Sequence, residues 1–555
     1  EPLAQNYKND IQAIFNSRKE EADEFYNDYL PADVSEDKRN IQRQAFAGLL
    51  WNKQFYHYDV EEWLDGDPGQ VTPPFQRLKG RNSDWRFLNN RDIILMPDSW
   101  EYPWYAAWDL AFHCVPMAFI DPVFAKNQLI LIMREWYMSP QGQIPAYEWN
   151  FSDVNPPVHA WAALSIYHID KKRSGKADVD FLKRVFSKLI INFTWWVNRK
   201  DHNGNNIFEG GFLGLDNIGI INRSDLPHGY ALEQVDGTCW MATFALSMME
   251  IALEICQYDR TYEDIVTKFY EHYIMIAESL DEATLWNSED GFYYDVLITP
   301  QMSPVTMKIH SAVGLCVLFA TGIIHRSDFD KLPDLEKRIR WYKHDRERKN
   351  KYLPYERHKE QNTFLTTLIK EDKLVRILQR LLSENEFLSA GGIRSLSKFH
   401  EHNPVCLNIE GAEFSISYDP AESTSSMFGG NSNWRGPVWF PINYLLIKSL
   451  KKYHQFYGDS LKVQFPTYSG NWMNLDQVSN ALAERLVNIF EADESGHRPV
   501  HADHAWFYSR PENRELILFY EYFHGDTLQG LGASHQTGWT AVVAELINNE
   551  RWEWD

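Results

Sequence analysis

The sequence predicts an all-α protein, a closed ring of helix pairs (an α/α toroid) with long loops and one small β-hairpin. Three observations predict it. Apolar residues recur at helical spacing in about a dozen segments. Short loops join these segments, with neither coiled-coil heptads nor a fixed sequence repeat, so the helices must bury a shared core in pairs. Strand signals are few. An open helical solenoid is the rarer alternative.

Taken in order, residues 35–56 open the helical series on a Ser35 cap and then alternate apolar and charged faces. Helical periodicity continues over 105–118, 122–137, 157–167, 178–198, 231–258, 262–279, 310–320, 370–382, 441–453, 474–489 and 537–549. Residues 405–418 read as a hairpin turning at Gly411. Residues 325–373 are dense in charge and locally basic, which marks a solvated excursion more than a binding patch. No linker divides the chain, so residues 1–555 read as one catalytic domain carrying that excursion.

Composition excludes some functions. The net charge is −22, which argues against nucleic acid or an anionic membrane as partner. No run of 18 apolar residues suggests a membrane span. Tryptophan stands out with 21 residues, and aromatic residues reach 15%. Many rings belong to any core, but Trp and Tyr also offer an apolar face with a polar edge, which suits a sugar. The cysteines Cys114, Cys239, Cys256, Cys316 and Cys406 are odd in number and lack CxxC spacing. They read as reduced, buried thiols of a cytoplasmic protein. The sequons at Asn150, Asn192 and Asn222 lie in aromatic or buried context and read as chance matches.

Five loops carry the candidate chemistry. The last, 519–540, places Glu521 between Tyr520 and Tyr522, ahead of a glycine-rich stretch and His535, Gln536 and Trp539. A carboxylate among rings is partly desolvated, and it needs either a function or a partner. The alternative is a structural glutamate paired with His524 or Arg435. Residues 97–113 hold Asp98, Glu101, Trp104, Trp108 and Asp109, with the two tryptophans at i and i+4 on one face. Asp109 there is also a plausible helix-start carboxylate. Residues 143–161 hold Glu148, Asp153 and Asn155 before a Pro-Pro helix start. In 205–224, Asp216 sits in apolar, glycine-rich surroundings that disfavour ionisation and suit a proton donor, though an Asp-Asn turn is the plain alternative. Upstream, residues 201–205 resemble a calcium loop only weakly, because the glycine is misplaced. In 420–444, Arg435 between Trp434 and Gly436 can bind a hydroxyl or pin a carboxylate. GxSxG, HExxH and phosphate-loop patterns are all missing. Carboxylates in aromatic loops fit two-carboxylate glycoside hydrolysis.

The motifs MPDSWEYPWYAAWDLAFH, PAYEWNFSDVNPPVHAWA, GGFLGLDNIG, ESTSSMFGGNSNWRGPVWFPINY and EYFHGDTLQGLGASHQTGWTA run in order along the chain. Together they resemble glycoside hydrolase family 63, the family of processing α-glucosidase I and its microbial relatives. The resemblance spans about residues 43–546. It implies an (α/α)6 barrel with the site in its mouth, and an inverting α-glycosidase that needs no metal or organic cofactor. By motif position it implies Asp216 as general acid and Glu521 as general base. It implies sugar contacts from Trp108, Asp109 and Arg435, and more loosely from Glu148, Trp434, His535, Gln536 and Trp539. Many members carry an N-terminal β-rich domain, and nothing in this sequence looks like one.

The expected activity is exo-acting hydrolysis of short α-glucosides or oligosaccharides. Alternatives are a hydrolase of a mannosyl- or glucosyl-glycerate-type glycoside, a lyase or phosphorylase on the same toroid, an inactive glycan-binding relative, and a helical interaction scaffold. Acid and base roles need pKa values pushed apart, so Asp216 is expected protonated in its apolar loop and Glu521 ionised among polar groups.

Overall fold

The computed structural model describes residues 2–547 apart from 30–33, 81, 148–150, 152, 200–203, 205, 283, 331, 350, 359–361, 426, 428–431 and 536. Glu148, Gln536 and most of the weak calcium-loop candidate therefore lie outside the described residues.

The helices form two concentric rings. The inner segments are Ala107–Ile120, His159–Ser174, Val235–Cys256, the joined short pieces Ala312–Leu315 and Cys316–Leu318, Phe440–Tyr457, and Thr537–Thr540 with Val543–Leu546. Most of their surface is buried, and Ala107–Ile120 is buried at every position. The outer segments are Glu36–Trp51, Pro122–Ile132, Val179–Val197, Glu263–Glu282, Glu371–Leu381 and Leu475–Asn488. Outer helices keep one apolar stripe inward and a polar face to water, as amphipathic spacing requires. Val179–Val197 shows this well: Phe181, Leu182, Val185, Phe186, Leu189, Phe193 and Trp196 are buried at three- and four-residue steps. Phe193 meets Phe244 of the next inner helix at 5.2 Å and Phe269 of the next outer one at 4.9 Å.

The rings close. Ala107–Ile120 packs on His159–Ser174, which packs on Val235–Cys256, which packs on the 312–318 pieces. Phe440–Tyr457 packs on the strand Gly322–His325 and on Thr537–Thr540, and the latter returns to Ala107–Ile120. Val543–Leu546 packs on Glu36–Trp51, so the last and first pairs meet. This is the (α/α)6 barrel. Ten of the twelve helices expected from periodicity are continuous, with ends shifted by a few residues; 310–320 and 537–549 are each broken into two short pieces, residues 548–549 lie outside the described residues, and 53–56, read as the end of the first helix, begin the strand Lys53–Asp59. The Ser35 cap holds, its hydroxyl accepting from the Lys38 amide at 3.2 Å. Asn474 and Gln477 form a reciprocal capping box on Leu475–Asn488.

Four expectations change. Strands are more numerous than the single hairpin foreseen: the described residues hold several two- and three-stranded antiparallel sheets in the loops between helices. Most of these pieces are two to five residues long, too short for alternation to register clearly, while the longest pair, Lys53–Asp59 with Asn89–Leu95, begins in residues read as the end of a helix. The foreseen hairpin does form, pairing Val405–Ile409 with Ala412–Ile416 across Gly411 at φ +88°. The 325–373 excursion is anchored to the barrel. Its helix Pro333–Lys349 packs on Glu263–Glu282, where Arg346 and Lys351 meet Glu278. These two basic residues thus answer a barrel carboxylate, while Arg340, Lys343, Arg348 and Lys349 pair within the helix itself. Cys406 is exposed, while the other four cysteines are buried free thiols. Finally, Val235–Cys256 is long and apolar enough to cross a membrane, yet 89% of its most apolar window is buried as an inner helix.

The inner helices begin where the candidate loops end, and the loops are knitted together there. Isolated bridges pair Ala106 with Tyr147, Phe208 with Gln234, and Val438 with both Arg394 and Phe523. A closed ring brings loops from all along the chain to one mouth.

Candidate active site

Glu521 lies just before the strand Tyr522–Phe523, which pairs with Gly530–Leu531. Its own amide donates to Ala533 O at 2.8 Å, and the Ala533 amide returns a bond to Glu521 Oε2 at 3.1 Å. The chain reverses tightly there. Gly532 sits at φ +69°, and a β-carbon on it would stand 2.4 Å from Glu521 Oε2, so glycine is required on both counts. The Trp539 indole N–H donates to Glu521 O at 3.0 Å, and Thr540 Oγ1 donates to Tyr520 O at 2.7 Å. The last inner segment therefore fixes the backbone on which the carboxylate stands. A further donor, Tyr102 Oη, approaches Glu521 Oε2 at 3.4 Å. Neither His524 nor Arg435 pairs with Glu521. The ring of His524 accepts from the amides of Asp526 and Thr527, and Arg435 bonds elsewhere.

Asp216 sits in the loop between Phe208 and Ala231 and keeps a little exposed surface. Gly214, two residues before it, has φ +66°, and a β-carbon there would stand 2.9 Å from the Trp108 ring. The loop thus lies flat against Trp108. After Asp216, Asn217 is buried and interlocks with a distant segment: its Oδ1 accepts from the Trp434 amide at 2.7 Å, and its Nδ2 donates to Asn433 Oδ1 at 3.0 Å. Arg435 donates to Asn217 O at 2.7 Å and to Gly219 O at 2.9 Å.

The two carboxyls share one electrostatic environment. Burial lifts Asp216 to about 7, offset by a hydrogen bond from Ser432 and reinforced by the Asp153 charge. Burial also lifts Glu521 to about 8; the Ala533 amide opposes this, while the charges of Asp216 and Asp109 add to it. This corrects the expected separation. Glu521 is not the easily ionised member, because burial disfavours its charge and the Asp216 and Asp109 carboxylates add to that. Tyr520 and Tyr522 alternate away from it along the extended chain. Tyr520 packs over Gly530, and Tyr522 stacks on Trp439 at 4.5 Å. Both carboxyls are thus raised chiefly by burial, and the Asp216 charge adds to the rise at Glu521.

The other expected residues fall into three places. Asp109 is in the first turn of Ala107–Ile120, buried at 5% exposure, and its charge reaches both Glu521 and Tyr147. Trp108, Trp434 and Trp539 form a packed wall with Trp439. Trp434 stacks on Trp439 at 4.0 Å and 5°, and Trp108 meets Trp434 at 6.2 Å and Trp539 at 5.5 Å. All three are nearly covered, so they back the cleft more than they form an open platform. His535 is exposed at the rim, with its Nδ1 3.2 Å from Ser534 Oγ. Its charge and a backbone bond from Ser534 bear on Glu101, whose carboxyl burial and Asp98 push upward. Arg435 is at the site but spends its guanidinium on loop carbonyls. Sequence reasoning missed Tyr102 and Tyr147, whose hydroxyls are pushed up by burial and by the carboxylates around them. Their only signal was their presence in the aromatic motifs. No cluster of metal-ligating side chains occurs among the described residues.

Comparison with known proteins bears on the family. A family model for the mannosylglycerate hydrolase MGH1-like glycoside hydrolase domain matches residues 102–212, which hold Tyr102, Trp108 and Asp109. The uncharacterized protein YMR196W of Saccharomyces cerevisiae is 48% identical over 564 residues, covering 98% of this chain and 52% of that protein. Mannosyl-oligosaccharide glucosidase of the same yeast is 22% identical over 400 residues, covering 66% of this chain and 35% of that enzyme. A crystal structure of GH63 mannosylglycerate hydrolase from Thermus thermophilus in complex with glucose is 13% identical, covering 92% of this chain and 99% of that one, at a TM-score of 0.49. The chain spans about half the length, or less, of the two curated yeast relatives. By the matched domain, the likeness to the glucosidase and the five ordered motifs, the chain is similar to glycoside hydrolase family 63 and carries a mannosylglycerate hydrolase MGH1-like glycoside hydrolase domain over residues 102–212.

Proposed function

We propose that the protein is an inverting, exo-acting α-glycosidase that hydrolyses short α-glucosides or oligosaccharides, with Asp216 as general acid and Glu521 as general base. One observation carries this reading. Two carboxyls from distant parts of the chain meet in one aromatic site, where each sits far above the usual carboxylate range and Glu521 feels the charge of Asp216. Such a pair holds one proton between about pH 7 and 8, and the productive form is the less populated arrangement in which Asp216 carries it and Glu521 is ionised. With that proton on Asp216, it passes to the glycosidic oxygen as the bond from the anomeric carbon breaks. Glu521 takes a proton from a water whose oxygen attacks the opposite face of the sugar. The new anomeric centre is β. Nothing in these steps calls for a cofactor.

A second reading keeps the same chemistry on a mannosyl- or glucosyl-glycerate. It is favoured by the matched family model, whose description is that of a mannosylglycerate hydrolase domain.

Proton NMR of the anomeric region during incubation with α-glucosides and with α-mannosylglycerate tests both readings. The proposal expects the β-anomer before mutarotation, with turnover lost in Glu521→Gln. An α-anomer appearing first would refute inversion, and the sugar released decides between the readings.

A further inference from the structure

The Asp216 loop is held by a segment far along the chain. Residues 432–435 run beside 216–219 and bond Asp216, Asn217 and Gly219. Ser432 hydrogen-bonds the Asp216 carboxyl. Asn433 and the Trp434 amide take the two ends of the Asn217 side chain. Arg435 spans Asn217 O and Gly219 O with Nε and one terminal nitrogen. The segment is itself fixed: Asn433 Nδ2 donates to Asp419 O and Ala421 O at 2.8 and 2.7 Å, and Trp439 Nε1 donates to Asn433 O at 2.9 Å. On the other side, Gln234 takes the amides of Gly210 and Gly211, and Arg223 takes Phe212 O while paired with buried Asp236. The loop is thus clamped before and after Asp216.

We infer that Arg435 is a positioning residue for the general acid: its guanidinium grips the two carbonyls that follow Asp216 and so aims the Asp216 carboxyl, instead of holding the sugar. The inference rests on the acid role proposed for Asp216. A planar fork can bridge two carbonyls two residues apart, whereas a lysine ammonium is a point donor and cannot do so in the same way. A catalytic group displaced by about 1 Å loses much of its effect.

Leaving groups separate the two roles. Fluoride departs without a proton, whereas an alkoxide needs the acid. The experiment compares kcat and KM for α-D-glucosyl fluoride and methyl α-D-glucoside, with the α-D-mannosyl counterparts alongside, in wild type, Asp216→Asn, Arg435→Lys and Ser432→Ala. Arg435→Lys is expected to follow Asp216→Asn. Its kcat on the methyl glycoside falls about 10²-fold or more, while turnover of the fluoride stays within about 3-fold and KM is little changed. Ser432→Ala, which removes only a hydroxyl, shows the same split at a smaller size and decides the matter if Arg435→Lys does not fold. Equal losses on both substrates, or a loss seen mainly in KM, would mean that Arg435 holds the sugar and would overturn the inference. An Asp216→Asn variant that turns over the methyl glycoside as fast as wild type would overturn the acid role itself, and with it this inference, and that failure is distinct because it appears in Asp216→Asn whatever Arg435→Lys does.

Discussion

The two halves of the site are built in opposite ways. Glu521 is held locally, by a hairpin a dozen residues long that returns an amide to its carboxylate. Asp216 is held largely from afar: Arg435, more than two hundred positions away, bonds two carbonyls of its loop, and the Trp434 amide bonds the Asn217 side chain. Local support depends on backbone shape and remote support on side-chain chemistry. Substitutions should therefore injure the base through glycines and the acid through polar side chains.

Removing either carboxyl breaks the site outright. Glu521→Gln and Asp216→Asn should each lower kcat on an alkyl glycoside by about 10²–10⁴-fold, read by steady-state assay. Next in size is Gly532→Ala. The added methyl meets Glu521 Oε2, and the residue must hold a left-handed φ, so both activity and folding should suffer. A stability loss on the order of 1–3 kcal/mol is expected in thermal or denaturant unfolding. A variant as stable and active as wild type would mean that the hairpin does not set the base.

The pH dependence of stability sharpens the comparison. Glu521 has a folded pKa raised to about 8, so between the ordinary carboxylate range and pH 8 the folded state binds the proton more tightly than the unfolded one. Stability therefore falls as pH rises through that window and levels off above it. Glu521→Gln removes the buried charge. It should match wild type near pH 4 and exceed it at pH 9, by on the order of 1–3 kcal/mol. The smallest effect belongs to Tyr102→Phe. Its hydroxyl favours the ionised base, so its loss should move the acidic limb of the pH–rate profile to higher pH, with a fall in kcat of no more than about tenfold.

Much of this was legible in the sequence, for reasons particular residues make plain. The ring helices announce themselves because residues such as Phe181, Val185, Leu189 and Trp196 recur at helical spacing, and a helix needs only its own neighbours to declare it. Asp216, Glu521 and Asp109 were found because their motifs are long, and the structure brings them into one electrostatic cluster. The charge state of Glu521 was misread because flanking tyrosines suggest a polar cage, whereas an extended chain turns neighbours to the other side. Arg435 was read as a sugar contact because sequence cannot reveal that two carbonyls 216 and 218 positions away lie within its reach. Tyr102 escaped notice for the same reason, since its partner lies 419 residues further on. Local periodicity is written in the sequence, but long-range side-chain partnership is not.

The most direct measurement is the pH profile of kcat/KM on an alkyl α-glycoside. A pair raised to about 7 and about 8 has no base below that window and no acid above it, so a narrow bell peaking between pH 7 and 8 is predicted. On the glycosyl fluoride the alkaline limb should vanish while the acidic limb stays. A plateau that reaches down to pH 5 would show a base ionised well below neutrality, and would contradict the claim that the two buried carboxyls work as one protonated pair.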